Sequence, residues 1–277
     1  MSDPTVRLST AFKEMHRSGL FIIPNPYDAG TAKYLTKLGF RALATTSAGA
    51  SFALGRPDVP DALSVDQVLA NVRQIVDATP LPVSADFQNG YAAEPDAMAD
   101  NVTRCVGTGV AGLSIEDASG DDSAPLYDEA LATERVSAAR HAIDQIDGDV
   151  VLTARCEAWL VNDPTPFETA LPRLVAYADA GADCLFAPGV FDTDQIATIV
   201  REVHPKAVNV IMSKAVPELD ARRLEDLGVR RVSVGSALNR VAWGAFIGAA
   251  KHIADSGSFD ALDGAAPFAE LNACFDE

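Results

Sequence analysis

The chain lacks any cysteine pattern that could staple it or bind a metal. Its four cysteines, Cys105, Cys156, Cys184 and Cys274, stand far apart, with no C-x-x-C pair and no histidine at metal-ligand spacing. That excludes a disulfide framework and a zinc site and leaves the thiols as reduced core residues. Long hydrophobic runs are also missing. No stretch reaches 18 uninterrupted apolar residues, and the opening MSDPTVRLSTAFKEMHRSG has no apolar centre of the kind a signal peptide carries, so a soluble, cytoplasmic protein with no membrane partner is expected. Basic residues are scarce: 22 Lys and Arg face 39 Asp and Glu, a net charge of −17. Nucleic acid and anionic membranes both call for a basic surface, so neither is a partner. Any anion this chain binds must meet locally placed cations, a metal or helix N-termini.

What is present is 277 residues at 48% hydrophobic content, enough for two small domains or one large α/β barrel. Apolar, β-rich runs alternate with helical-period segments along the whole length. Strands are expected over residues 21–26, 42–48, 82–87, 112–118, 150–159, 184–190, 207–213 and 230–236. Helices are expected over residues 28–38, 65–78, 95–106, 128–145, 167–180, 193–203, 219–227 and 237–254, several of them followed by glycine (Gly39, Gly107, Gly181, Gly228), as helix C-termini prefer. Eight β/α units without a composition break or linker predict one (β/α)8 TIM barrel over residues 1–277. The tail from residue 255 onward carries Phe259, Leu262, Phe268, Leu271 and Phe275 beyond the closing unit. Such a tail wants a partner surface.

Three of the strands run from apolar residues into charge. VSADFQNGY (83–91) delivers Asp86, GLSIEDA (112–118) delivers Glu116 and Asp117, and VVLTARCEAW (150–159) delivers Arg155 and Glu157. In a (β/α)8 barrel the active site lies at the C-terminal ends of the strands, which explains polar residues gathered there above apolar strand bodies. Acids capping the following helices would explain any one of them, but three adjacent strands point to a shared site. Several carboxylates around one opening repel each other unless a cation sits among them, and an all-oxygen donor set suits Mg2+ or Mn2+. Arg155, unable to lose its proton, needs an acid or an anionic ligand. On the second strand, ATTSAGASFALGRPD (44–58) leaves through Thr45, Thr46, Ser47, Ala48 and Gly49, whose small side chains would let consecutive backbone N–H groups face an oxyanion.

The ordered set NPYDAGTA (25–32), TTSAGASFALGRPD, SADFQNGY, GLSIEDA, LTARCEAW and RRVSVGSALNR (230–240) resembles the isocitrate lyase/phosphoenolpyruvate mutase superfamily over nearly the whole chain. The resemblance implies a (β/α)8 barrel using Mg2+ (or Mn2+) to hold a 2-oxo acid or phosphoenolpyruvate-like substrate, with a C–C or P–C bond made or broken through an enolpyruvate-type intermediate. It further implies a homodimer or homotetramer in which the eighth helix is swapped, so that residues 237–277 pack on a neighbouring subunit. Carried over by position, it makes Asp86 a metal ligand and Glu116 a water-mediated one, with Thr46, Ser47 and Ala48 as carboxylate contacts. Arg155 becomes the substrate clamp, Asp58 an acid near the site entrance and Asn209, in NVIMS (209–213), a further substrate contact. Arg155, Asp58 and Glu116 are the catalytic candidates.

Two departures from the family pattern shape the expected chemistry. The metal strand usually reads acid-x-acid, whereas Asp86 is followed two residues later by Gln88. The loop after strand four, SGDDSAPLYDEALATER (119–135), has none of the cysteine, lysine or histidine that isocitrate and methylisocitrate lyases carry there, nor the lysine and asparagine of the phosphonate-forming mutase. Oxaloacetate decarboxylation needs no such gate acid and fits best. P–C chemistry, as in a phosphonomutase or phosphonopyruvate hydrolase, is disfavoured by Asp121 and Asp122, and a 2-oxo acid-binding barrel without turnover is the alternative from another class. His16, His141, His204 and His252 fall on helices or their ends, away from the mouth. Tyr27, Tyr91 and Tyr127 read as rim packing, and Lys214 sits just past strand seven, where a Schiff base is conceivable.

Overall fold

The computed structural model describes residues 4–59 and 62–276; the last residue of the tail, Glu277, lies outside them. In chain order the elements are α1 (Pro4–Met15), β1 (Phe21–Ile23), α2 (Ala29–Lys37), β2 (Leu43–Ala44), α3 (Ser47–Ala53), α4 (Val65–Asp77), β3 (Val83–Asp86), α5 (Pro95–Val106), β4 (Gly112–Glu116), α6 (Glu129–Asp147), β5 (Val151–Arg155), α7 (Pro166–Asp179), β6 (Cys184–Phe186), α8 (Thr193–Glu202), β7 (Ala207–Ile211), α9 (Ala221–Asp226), β8 (Arg231–Ser233), α10 (Ala237–Ser256), a 3-10 turn (Asp260–Gly264) and α11 (Phe268–Phe275). The eight strands are parallel, in the order β1-β8-β7-β6-β5-β4-β3-β2. The ring closes between β1 and β2 through the Ala44 N–H donating to Pro24 O (3.0 Å) and Asn25 Nδ2 donating to Thr45 O (2.8 Å). This is the (β/α)8 barrel that the alternating pattern predicts.

Side-chain alternation along the strands builds the interior in layers. Outward residues such as Leu113, Ile115, Leu152 and Val210 pack on the surrounding helices. Inward, the lowest layer is apolar: Phe21, Val151, Cys184 and Ala207 close around Phe12 of α1. This helix falls outside the eight β/α units and plugs the barrel floor. Gly112 exists for it, because a Cβ there would stand 2.8 Å from Phe12 Cε1 and 3.0 Å from Val151 O.

Element boundaries depart from expectation mainly at the strand ends. The run 42–48 is a strand only over Leu43–Ala44, because Thr46 turns the chain and caps α3, an unexpected short helix. Likewise 150–159 and 184–190 pair only through Arg155 and Phe186. The ladder stops where the barrel opens, and the residues beyond it form the rim. α2 and α6 start one residue late and α9 two, because Asp28, Asp128 and Asp220 are N-caps and not first-turn residues.

The C-terminal segment divides. α11 returns to its own chain, with Lys37 Nζ of α2 donating to Ala273 O (2.6 Å) and Phe275 touching Gly30. α10 does not return, and of its residues only Asn239 is buried. No helix among the described residues is long and apolar enough to cross a membrane.

Candidate active site

Three neighbouring strands deliver one connected cluster at the open end of the barrel. Parallel register places Glu116 of β4 beside Arg155 of β5 and Asp86 of β3 beside Ser114 of β4. Arg155 Nη1 reaches Asp86 Oδ1 at 2.6 Å and Glu116 Oε2 at 3.1 Å. Nε and Nη2 both donate to Glu157 Oε1 at 2.9 Å. Each nitrogen of the guanidinium thus has a carboxylate partner, Nη2 through one of its two N–H groups, so the clamp expected to face a substrate is largely taken up by its own acids. Its ring of partners also holds it over Phe186, 5.1 Å from the ring centroid.

One guanidinium cannot keep this many desolvated acids charged. Burial pushes Glu116 well above the ordinary carboxylate range, against the pull of Arg155, and burial pushes Glu157 up in the same way. Asp58 on the loop after α3 is reachable from the mouth, yet partial burial and the charge of Asp86 raise its carboxyl too. The cluster therefore has more acid than cation. An all-oxygen donor set with more carboxyls than one guanidinium can balance fits a hard divalent ion. Among the described residues, no group of three or more acids, histidines or cysteines is already gathered around a point such an ion would occupy; Arg155 stands between Asp86 and Glu116 instead.

A cavity of about 370 Å3 opens above the cluster, lined by Asp58, Asp86, Arg155, Asn209 and the 45–48 turn. Thr46, Ser47 and Ala48 border it as expected, but the backbone cradle is partly spent. The Ser47 N–H donates to Asp86 Oδ2 (2.9 Å) and the Gly49 N–H to Thr46 Oγ1 (3.2 Å). Gly49 is required because a Cβ would lie 2.5 Å from Thr46 Cγ2 and 2.9 Å from Tyr27 Cβ. Asn209 is buried and used at both ends, donating to Ser233 Oγ (3.0 Å) and accepting from Arg231 Nε (2.9 Å).

Glu116 and Asp117, both expected at the mouth, separate. Asp117 faces the helix layer: its Oδ1 accepts the Glu157 N–H (2.8 Å), and its Oδ2 accepts from the Tyr177 hydroxyl (2.7 Å) and Arg173 Nη1 (3.2 Å). Strand alternation sends it opposite to Glu116, so its work is to brace β4 and the Glu157 backbone. Gln88, in the left-handed region at φ 45°, lines a neighbouring polar pocket of about 470 Å3 with Glu116 and the loop 118–125; Leu160 borders both spaces. That loop is pinned as a small hairpin by the Ala118–Leu126 bridge and the Ser119 N–H to Pro125 O bond (3.0 Å).

Several residues of the site have roles that the sequence does not reveal. Arg135 of α6 is buried and donates to the carbonyls of Asn89, Ala92 and Ala93, fixing the turn after β3. Asn25 Oδ1 accepts from the Val234 and Gly235 N–H groups (3.0 and 2.9 Å), stitching β1 to the end of β8. Arg231, Lys214 and Arg240 line the cavity opposite Asp86. The motifs NPYDAGTA and RRVSVGSALNR contain Asn25, Arg231 and Arg240, and Lys214 stands out in the sequence only as a conceivable Schiff-base lysine, so the sequence carries no sign of these roles.

A family model for phosphoenolpyruvate phosphomutase matches residues 12–254. The chain is 35% identical over 266 residues to an uncharacterised protein of Mycobacterium tuberculosis, covering 95% of each. It is 33% identical over 225 residues to 2-methylisocitrate lyase of Salmonella typhimurium, covering 78% of this chain and 75% of that one. A crystal structure from Burkholderia cenocepacia, provisionally described as a lyase/mutase, superimposes with a TM-score of 0.94 at 43% identity, covering 100% of this chain and 98% of that one. With the barrel, the strand-end cluster and the match over most of its length, the chain belongs to the phosphoenolpyruvate phosphomutase family and is an enzyme of the isocitrate lyase/phosphoenolpyruvate mutase superfamily of lyases and mutases.

Proposed function

We propose that the protein is a Mg2+-dependent carbon–carbon lyase acting on a small 2-oxo acid through an enolpyruvate-type intermediate, with oxaloacetate decarboxylation as the reaction its site fits best. The observation that carries this reading is the acid surplus around Arg155 at the ends of β3, β4 and β5. Asp86 and Glu116 would hold Mg2+ (or Mn2+), with Asp58 contributing from the entrance. When bound, the ion supplies Lewis-acid polarisation of the 2-oxo group and takes up charge that develops on the substrate oxygen.

The protein's own residues bind and orient. Arg155, kept in one rotamer by its two bonds to Glu157, puts a fixed positive charge beside the developing enolate oxygen. Thr46, Ser47 and Ala48 border the substrate carboxylate, and the Ser47 N–H fixes the direction of Asp86. Asn209 holds Arg231 and Ser233 beneath the substrate. In oxaloacetate the C3–C4 bond breaks and CO2 leaves. The bonding pair becomes the C2–C3 double bond of the enolate, and a proton from solvent at C3 completes pyruvate. No side chain of the 118–125 hairpin is needed for these steps, which is why the loop can lack a gate acid.

The assembly belongs to the same reading. The outward side chain of β1, Ile22, is 39% exposed although parallel barrel strands are covered on both faces, and α10 leaves its own barrel beside it. A second subunit's α10 would cover that face, giving a homodimer or homotetramer.

A panel of oxaloacetate, phosphonopyruvate and substituted malates, each with and without Mg2+, tests the function. Mg2+-dependent pyruvate release from oxaloacetate is expected. Turnover of phosphonopyruvate alone would move the protein to P–C chemistry, and tight binding without any turnover would make it a binding barrel.

A further inference from the structure

The Arg155 clamp depends on a polar network on the helix side of the sheet. Glu157 Oε1 takes both Nε and Nη2 of Arg155, so the guanidinium is only as well placed as Glu157, which lies past the end of β5. The β4–β5 ladder breaks off at that point. The Asp117 N–H still donates to Arg155 O (3.2 Å), but Asp117 O, which a continued parallel ladder would offer to the Glu157 N–H, accepts the Tyr127 N–H instead (2.9 Å). The Asp117 side chain fills the gap, its Oδ1 accepting the Glu157 N–H at 2.8 Å. One residue thus holds the backbone on both sides of Cys156, and it holds Glu157 by a carboxylate that has to be aimed.

The aim comes from α7. Asp117 Oδ2 accepts from the Tyr177 hydroxyl (2.7 Å) and from Arg173 Nη1 (3.2 Å), and these two side chains, four residues apart on one helix face, meet at 3.4 Å. Tyr177 is completely buried, and Asp117 and Arg173 nearly so. Burial, followed by the Asp117 charge, pushes the Tyr177 hydroxyl above the ordinary phenol range, so it keeps its proton and is the donor. The other outward side chains of these two strands, Leu113, Ile115, Leu152 and Ala154, make apolar contacts with the helix layer. A buried ion pair adds little net stability over apolar packing of the same volume. What it provides, and an apolar contact does not, is a fixed direction for the carboxylate.

We propose that Tyr177, with Arg173 beside it, is a positioning residue: by orienting Asp117 it places Glu157, and through Glu157 it sets the plane of the Arg155 guanidinium at the cavity. The consequence for turnover rests on the role given to Arg155 above. Neither Tyr177 nor Arg173 lines the cavity, so an effect of either on the reaction travels through Asp117 and Glu157.

The test compares two variants of the same helix. Tyr177→Phe removes the hydroxyl and keeps the ring, and Asp117 retains Arg173, so this variant should fold. Leu174→Ala, also fully buried, empties packing volume and removes no hydrogen bond from Asp117. Proton–nitrogen NMR reads the Arg155 Nε–H, identified by its absence in Arg155→Lys, and steady-state kinetics with oxaloacetate and Mg2+ reads the reaction. In Tyr177→Phe the Nε–H signal should shift and exchange faster with solvent. Its kcat should fall about tenfold with KM within about twofold of wild type, the low end of what losing an outer hydrogen-bond partner costs at a metal-dependent centre. Leu174→Ala should melt at a lower temperature than wild type yet keep the wild-type Nε–H signal and kcat. A Tyr177→Phe protein whose Nε–H signal stays in place, or whose kcat matches wild type, overturns the inference, and so does a Leu174→Ala protein that shows the same changes. If wild type does not turn over oxaloacetate, the reaction proposed above falls, and the Nε–H signal alone decides the positioning.

Discussion

Arg155 Nη1 sits 2.6 Å from Asp86 Oδ1, so the end of β5 is tied to the end of β3 across β4. Because Glu157 takes the other two nitrogens, the geometry depends on a planar fork. Arg155→Lys keeps the charge and loses the fork. Calorimetry of oxalate with Mg2+ should then show a loss of about 2–3 kcal/mol, roughly 30- to 150-fold. Affinity within twofold of wild type would make Arg155 a purely structural partner of Glu157.

The floor of the barrel depends on a missing Cβ. Gly112→Ala would force Phe12 or the Val151 carbonyl to move, and overpacking of this kind costs about 1–3 kcal/mol. Urea denaturation should show a lower midpoint with oxalate affinity retained in the folded protein. An unchanged midpoint would mean that α1 is not seated as described.

His16 gives the fold a defined acid sensitivity. Its Nδ1–H donates to Phe12 O (2.8 Å), its Nε2 faces Arg231, and burial followed by the Arg231 charge lowers its pKa to about 3. The unfolded chain takes up this proton near the ordinary histidine value of 6.5, so the contribution is fully present above that pH and is lost as pH falls towards about 3. The slope from this group approaches about 1.4 kcal/mol per pH unit within the window. His16→Gln should flatten the dependence of unfolding free energy on pH between 6 and 4 relative to wild type, and identical slopes would remove His16 as the cause.

Assembly rests on the uncovered β1 face and on α10. Val241 and Phe246 of α10 are 71% and 63% exposed, as is most of the apolar tail. At about 25 cal/mol per Å2, burying several such side chains on a neighbour contributes several kcal/mol, enough for a permanent oligomer. Light scattering at micromolar concentration should give a dimer or tetramer, and removal of residues 255–277 should give monomers or aggregates. A monomeric wild type would contradict the assembly.

Much of the frame was legible because periodicity survives in sequence: every expected strand contains a real one, and Asp86, Glu116 and Arg155 do meet. What was not legible depends on direction and on opposition. Asp117 follows Glu116 directly, and only the pleat decides that one faces Arg155 inside the barrel and the other Tyr177. The turn after β2 reads as a hydroxyl-rich loop, whereas Thr46 uses its oxygen to start α3. Arg231, Lys214 and Arg240 become neighbours of one cavity only when the ring closes, since no local pattern records which strand lies across from which.

The proposed reaction depends on Mg2+ held at Asp86. The most direct measurement follows oxaloacetate and pyruvate by proton NMR with wild type and Asp86→Ala, each with Mg2+ and after chelation, against a Mg2+-only blank. Wild type should form pyruvate above the blank only with Mg2+, and folded Asp86→Ala should form none above it. Equal rates for wild type and Asp86→Ala, or a wild-type rate unaffected by chelation, would contradict it.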